Sequence, residues 1–129
     1  MEQAERGPKR TILCIDDDNA ILQYERALLE GWGYDVVATA SAQQGLTLAM
    51  RLPIDAVILD YHMPGMDGHA VAAAIKKCRP ETPIVMFSGS QIPQETFKLV
   101  DAVVFKTDAV GQLLPTVTQL LQQGSNVLE

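Results

Sequence analysis

Cysteine is scarce in this chain, basic residues are outnumbered, and no long apolar run occurs. Two cysteines, Cys14 and Cys78, in 129 residues make neither a disulfide framework nor a metal-ligand spacing. Cys14 falls inside an apolar strand pattern and reads as a small core residue. Ten Lys and Arg against sixteen Asp and Glu, a net charge of −6, argue against a nucleic-acid surface, which needs a basic face. The cluster Lys9-Arg10, beside Arg6, reads as part of a solvated N-terminal tail. No apolar stretch approaches the roughly 18 residues of a membrane span, and no apolar signal-peptide core opens the chain. A cytoplasmic protein with neither membrane nor direct nucleic-acid contacts is expected. Internal repeats, low-complexity segments and linkers are also missing. Leu128-Glu129 read as an expression scar, which would make the chain a piece of a larger protein.

What is present suits one soluble domain, 47% hydrophobic and 20% charged, large enough to bury a sizeable core. Residues 56–68, AVILDYHMPGMDG, are its most informative stretch. The run Ala56-Val57-Ile58-Leu59 ends in one carboxylate, Asp60, followed by Tyr61, His62, Met63 and a loop marked by Pro64, Gly65 and Gly68. Such a run reads as a parallel strand buried on both faces. Its first polar residue then lies at the strand's carboxyl end, where open α/β sheets place ligands. An Asp there is a metal ligand, a nucleophile, or merely the cap of the following loop or helix.

Strands are expected at Thr11–Ile15, Tyr34–Thr39, Ala56–Asp60, Ile84–Ser88 and Ala102–Lys106. Between them lie helical patterns. Ile21, Tyr24, Leu28 and Trp32 define an inward face closed by Gly31 and Gly33. Ser41 caps a second helix with Leu46, Ala49 and Met50 inward, stopped by Pro53. Asp67 caps a third carrying Val71, Ala74 and Ile75, and a short fourth is weakly patterned over 94–100. The last has Val110, Leu113, Leu114, Val117, Leu120 and Leu121 on one face. Pro115 lies inside it if Asp108 is its cap; otherwise the helix starts later. Alternating strands and helices mean βα units and a parallel sheet, and right-handed crossovers put every strand's carboxyl end on one edge.

That edge gathers Asp16-Asp17-Asp18, Asp60, Ser88-Gly89 and Lys106-Thr107 from four strands. Asp18 reads as the N-cap of the first helix. Asp16 and Asp17, close to Asp60, would repel one another; a hard divalent cation resolves this, and Mg²⁺ fits carboxylate ligands, waters and a bridged phosphate. Two solvated turn aspartates remain the plainer alternative. Lys106 can pair with Asp60 and with incoming phosphate oxygens. Ser88 offers a hydroxyl, and Gly89 is expected to leave space for an incoming group.

With these residues in view, the chain resembles the receiver domain of two-component response regulators from about Thr11 to Gln123. The resemblance rests on ILCIDDD, GYDVVATASAQQGL, DAVILDYHMPGMDG, PIVMFSG and the lysine of VVFK. It implies a tail at 1–10, a receiver domain at 11–123 and a second tail or scar at 124–129. The implied fold is α/β, a doubly wound five-stranded parallel sheet of order 2-1-3-4-5. It further implies Asp60 as phosphoacceptor, Asp16 and Asp17 as the pair that positions Mg²⁺, and the backbone carbonyl of His62 as a metal contact. Ser88 and Lys106 stand where the family has residues that follow the phosphoryl group. The implied partners are a histidine kinase or phosphotransfer protein and an unknown output partner. The chain would then be a phosphoacceptor rather than an enzyme, at most catalysing its own phosphotransfer and dephosphorylation.

The chain departs from the family pattern at three places. Val103 replaces a customary aromatic, Thr107 replaces a proline after the lysine, and only 18 positions separate Ser88 from Lys106, which shortens the fourth helix. These changes bear on the output face, and the outward Gln112, Thr116, Thr118, Gln119, Gln122 and Gln123 of the last helix carry no charge for the salt bridges of the family's usual dimer, so a monomer, or a dimer built on another face, is expected. A receiver-like module recognised without phosphate is the alternative function. A haloacid-dehalogenase-like phosphatase fits poorly, since the second acid it needs is replaced by His62. So does an FMN carrier, because three aspartates after the first strand would repel its phosphate.

Overall fold

The computed structural model describes residues 9–127. Five strands, β1 (Thr11–Ile15), β2 (Asp35–Thr39), β3 (Ala56–Leu59), β4 (Ile84–Ser88) and β5 (Ala102–Phe105), form one sheet of order β2-β1-β3-β4-β5. Every pairing is parallel. Five helices connect or follow the strands: α1 (Asn19–Gly31), α2 (Ala42–Arg51), α3 (Gly68–Cys78), α4 (Gln94–Leu99) and α5 (Ala109–Val127). The expected doubly wound α/β architecture is therefore present. Residues 1–8 and 128–129, with most of the expected N-terminal tail and the suspected scar, lie outside the described residues. The last helix runs to Val127, beyond the boundary expected at 123.

Strand alternation divides the interior into two layers. Ile12 and Cys14 of β1, with Ile58 and Phe87, pack beneath Leu22 and Leu29 of α1 and Leu113 and Val117 of α5. Leu13, Ile15, Leu59 and Met86 point the other way, against Leu46 of α2 and Val71 and Ile75 of α3. The near-continuous apolar runs of β1, β3 and β4 are thus buried on both faces, as a parallel sheet requires.

Helix boundaries follow local chemistry. Asp18 accepts from the Ala20 N–H, Ser41 from Gln44 and Asp67 from Ala70, so all three expected N-caps are made. At the end of α1, the Gly33 and Tyr34 N–H groups bond the Glu30 and Leu29 carbonyls, with Gly33 at φ 103°; this is a Schellman closure. The short fourth helix is confirmed at six residues, with no side-chain cap. A 3₁₀ turn, Lys106–Asp108, leads directly into α5 and leaves Pro115 inside that helix. Lacking an N–H, Pro115 offers no helical donor to the Gly111 carbonyl.

Several inward assignments change. Trp32 is 55% exposed and Met50 is also exposed, because Trp32 falls beyond the last turn of α1 and Met50 on the outer side of α2. The buried stripe of α1 is instead Leu22, Glu25 and Leu29, with Ile21, Tyr24 and Leu28 at its margin. Thr116 and Thr118 of α5 are half-buried rather than outward, and the Tyr34 hydroxyl donates to Thr118 at 3.4 Å.

Candidate functional site

β1 delivers Asp16, Asp17 and Asp18 to the sheet edge, and β3 delivers Asp60. Asp16 is 1% exposed and Asp60 4%, whereas Asp17 is open to solvent. The polypeptide fixes both buried acids from behind. Asp16 N–H donates to the Thr39 carbonyl at 3.2 Å and Asp60 N–H to Ile15 at 2.9 Å. Asp16 Oδ1 also accepts from the Asp18 N–H at 3.0 Å. Asp16, Asp17 and Asp60 each present a carboxylate oxygen within 4.8 Å of the others.

Lys106, in the 3₁₀ turn just after β5 rather than on the strand, supplies the countercharge. Its Nζ lies 2.9 Å from Asp16 Oδ2 and 3.3 Å from Asp60 Oδ1, and 5.8 Å from the Phe87 ring centre. Burial pulls the lysine pKa down, but the two carboxylates outweigh it and leave the ammonium above its ordinary value. Burial, then the Asp16 charge, push Asp60 up to about 6, against the opposing pull of Lys106. Among the described residues, two buried side-chain oxygens lack a hydrogen bond, Asp16 Oδ2 and Glu25 Oε1. Asp16 Oδ2 has the ammonium beside it as an ion pair only.

Ser88 is fully buried at the end of β4. Its hydroxyl donates to the Ser90 carbonyl at 2.6 Å and accepts from the Ser90 N–H at 3.2 Å. The expected donor is therefore present but closed into its own turn. The Ser90 hydroxyl in turn lies 2.7 Å from His62 Nε2, tying the loop after β3 to the loop after β4. His62 is exposed, and its ring stands edge-on to Tyr61. A Cβ on Gly89 would meet Lys106 Cδ at 3.8 Å, an ordinary contact, so packing within the protein does not require glycine there. At Gly68 it does: a Cβ there would fall 2.6 Å from the Asp60 carbonyl oxygen and 2.7 Å from Tyr61 Cα. The Gly68 N–H closes this turn by donating to the Tyr61 carbonyl at 2.7 Å.

The donor set fits a hard divalent cation. It contains oxygen ligands only, two buried acids with one ammonium between them, and an exposed third acid at the entrance. Sequence reasoning missed Glu25 and Ser90. The spacing of Leu22 and Leu29 about position 25 marks the buried stripe, but a glutamate within it resembles an ordinary surface residue. Ser90 carried no signal, because its role depends on two loops meeting.

Residues 12–110 match the response regulator receiver domain. Two curated relatives are the transcriptional regulatory protein ZraR of Escherichia coli K12, 36% identical over 77 residues, and the cell cycle response regulator CtrA of Brucella abortus, 31% over 78. Each alignment covers 60% of this chain but only 18% and 34% of those proteins. A CheY-like receiver domain protein from Methanospirillum hungatei superposes with TM-score 0.86 and 27% identity, covering 92% of this chain and 98% of that one. The response regulator TrrA from Thermotoga maritima, solved in complex with Mg²⁺–BeF, gives 0.81 and 26%, covering 86% and 98%. The chain belongs to the response regulator receiver domain family, the receivers of two-component systems.

Proposed function

We propose that this receiver is a Mg²⁺-dependent phosphoacceptor, with Asp60 the residue that is phosphorylated and a partner interaction the property that is switched. The observation that carries the reading is the convergence of Asp16, Asp17 and Asp60 oxygens within 4.8 Å, with Lys106 reaching both buried acids. An acidic cluster this tight, with one internal cation, is suited to taking a metal ion and then a phosphoryl group. Asp16, Asp17, Asp60 and the His62 carbonyl would hold Mg²⁺, which when bound offsets the negative charge of the incoming phosphoryl oxygens.

This chain's residues do the rest. Asp60, ionised, directs a carboxylate oxygen at phosphorus in line with the leaving group, and an aspartyl phosphate forms as the donor's bond breaks. Lys106 turns from Asp60 to the new phosphoryl oxygens. Ser88 exchanges its turn bonds to Ser90 for a bond to the phosphoryl group, and the loop after β4 moves with it. The donor is the phosphohistidine of a histidine kinase or phosphotransfer protein, or a small acyl phosphate. The chain is no enzyme in its own right; it catalyses at most its own phosphotransfer and dephosphorylation. A monomeric cytoplasmic receiver domain over 11–123 is part of the same reading.

Incubation with acetyl phosphate and Mg²⁺, followed by intact mass, tests it. One phosphoryl mass is expected on the wild type and none on Asp60→Asn. Equal labelling of that variant rejects Asp60. No labelling of the wild type favours the alternative, a receiver-like module recognised without phosphate.

A further inference from the structure

We propose that Glu25 is a buried proton source linked to the acidic site, its carboxyl proton passing to solvent when a divalent cation binds Asp16, Asp17 and Asp60. This rests on the reading of those carboxylates as Mg²⁺ ligands.

Glu25 is the one acid of α1 turned to the core, 1% exposed between Leu22 and Leu29, and its Oε1 has no partner. Among the described residues, the Cys14 thiol is the one hydrogen-bonding side chain that acts on this carboxyl group, a weak donor for a buried carboxylate, so the protonated form is favoured. The groups that act on it come from several elements. β1 brings the Cys14 thiol and Asp16, the end of β3 brings Asp60, and the turn after β5 brings Lys106. On its own helix, the neighbouring Arg26 is committed to Glu30 at 2.9 Å and to the Val36 carbonyl at 3.3 Å. The α5 residues in the same layer, Leu113, Val117 and Leu121, carry no charge. Burial, then Asp16, dominate this balance and hold the Glu25 proton up to about pH 8.

A divalent cation among Asp16, Asp17 and Asp60 reverses the field that Glu25 feels. Two acids that opposed its ionisation become part of a centre that favours it, and the interior screens this change weakly. The Glu25 O–H bond then breaks, the carboxylate stays buried, and the proton goes to buffer, with no redox change. Glu25 touches neither metal nor phosphoryl group and acts through the field alone. Its consequence is a Mg²⁺ affinity that rises with pH across the neutral range.

The test is calorimetric titration of the full chain with MgCl₂ at pH 7.5 in Tris and in Hepes, whose different ionisation heats reveal the protons released. With Glu25 at about 8, the wild type should release about three-quarters of a proton per Mg²⁺ bound at this pH. Asp60, with its pKa at about 6, is already ionised and adds little. Glu25→Gln, the same shape without the proton, should release almost none and lose the several-fold gain in Mg²⁺ affinity between pH 7 and 8.5. Glu25→Leu should behave likewise, which guards against a local effect of the amide. Mg²⁺ binding with equal proton release in wild type and Glu25→Gln, or with none in the wild type, overturns this inference alone. Absence of Mg²⁺ binding in every protein overturns it together with the metal reading.

Discussion

Lys106 Nζ stands 2.9 Å from Asp16 Oδ2, closer than the 3.3 Å to Asp60 Oδ1. Asp16 is almost wholly removed from water and its Oδ2 has no hydrogen bond, so the ammonium is what keeps that oxygen's charge tolerable. At rest, the lysine's first task is structural. Its role toward a phosphoryl group begins only when a cation takes over the care of Asp16.

Lys106→Ala should therefore destabilise the metal-free protein by roughly 2–3 kcal/mol, since a buried carboxylate loses its partner. The loss falls below the roughly 3–5 kcal/mol of a fully buried pair, because the lysine side chain is 21% exposed. The same variant should bind Mg²⁺ at least as tightly as wild type, because the removed cation only competed for the carboxylates. Urea unfolding in EDTA and in Mg²⁺ measures both effects, and the deficit should shrink when metal is added. Markedly weaker Mg²⁺ binding would contradict the charge argument.

Asp17→Ala should weaken Mg²⁺ binding more than Asp16→Ala does. Asp16 already has the Asp18 N–H and the Lys106 ammonium as partners. Asp17 faces solvent, with its carboxylate oxygen free to meet a hydrated ion. A loss of about tenfold in affinity, or 1.4 kcal/mol, is expected for Asp17→Ala by calorimetry. Equal affinities of Asp17→Ala and wild type would reject it as a direct ligand.

Strand limits and the acidic edge were legible because they follow from short-range pattern, whereas the sheet order came only from the family resemblance. Apolar runs such as Ala56–Leu59 stop at the first carboxylate of the sheet edge, still buried in the case of Asp60, and Asp18, Ser41 and Asp67 declare their helices through single side-chain bonds. Facing was less legible where a helix is amphipathic by a wide arc. Position 25 illustrates this: Tyr24 and Leu28 drew the inward face toward themselves, while tertiary packing chose Leu22, Glu25 and Leu29. The Ser88–Ser90–His62 chain of bonds was invisible, since residues 62 and 90 meet only through the fold. Gly68, pressed against the Asp60 carbonyl and Tyr61 Cα, gave no sign in the sequence of how tightly the loop after β3 folds onto it.

Stability without metal should fall as pH rises. Glu25 moves from 4.5 unfolded to about 8 folded, and Asp60 from 3.8 to about 6, both chiefly through burial. A raised acid pKa means that the folded state holds a proton the unfolded state has released. The stability is fully present below the unfolded values and is lost as pH climbs through the folded ones. In EDTA, urea midpoints should thus be higher near pH 5 than near pH 8. Glu25→Gln should flatten the curve above pH 6, and Asp60→Asn should lessen the slope below it, where Glu25 still contributes. A wild type more resistant at pH 8 than at pH 5 would show that these acids are not buried in their protonated forms.

Activation should be read at the loop after β4 rather than along β5 and α5. Val103 has no ring to relocate and is stiff at its one side-chain torsion, and α4 has only six residues. Ser88, by contrast, must give up both bonds to Ser90 before it can turn toward Asp60, and Ser90 is itself held by His62 at 2.7 Å. Beryllofluoride with Mg²⁺ should therefore alter amide exchange most at 88–99, with the Ser90 amide losing protection. Ser88→Ala should already show that loss before activation. The outer residues of α5, Gln112, Gln119, Gln122 and Gln123, are exposed and uncharged, so they cannot form intermolecular salt bridges. Light scattering should find a monomer before and after activation. A dimer on adding beryllofluoride, with new protection centred on 102–123, would place the response on the face that lacks both the ring and the charges.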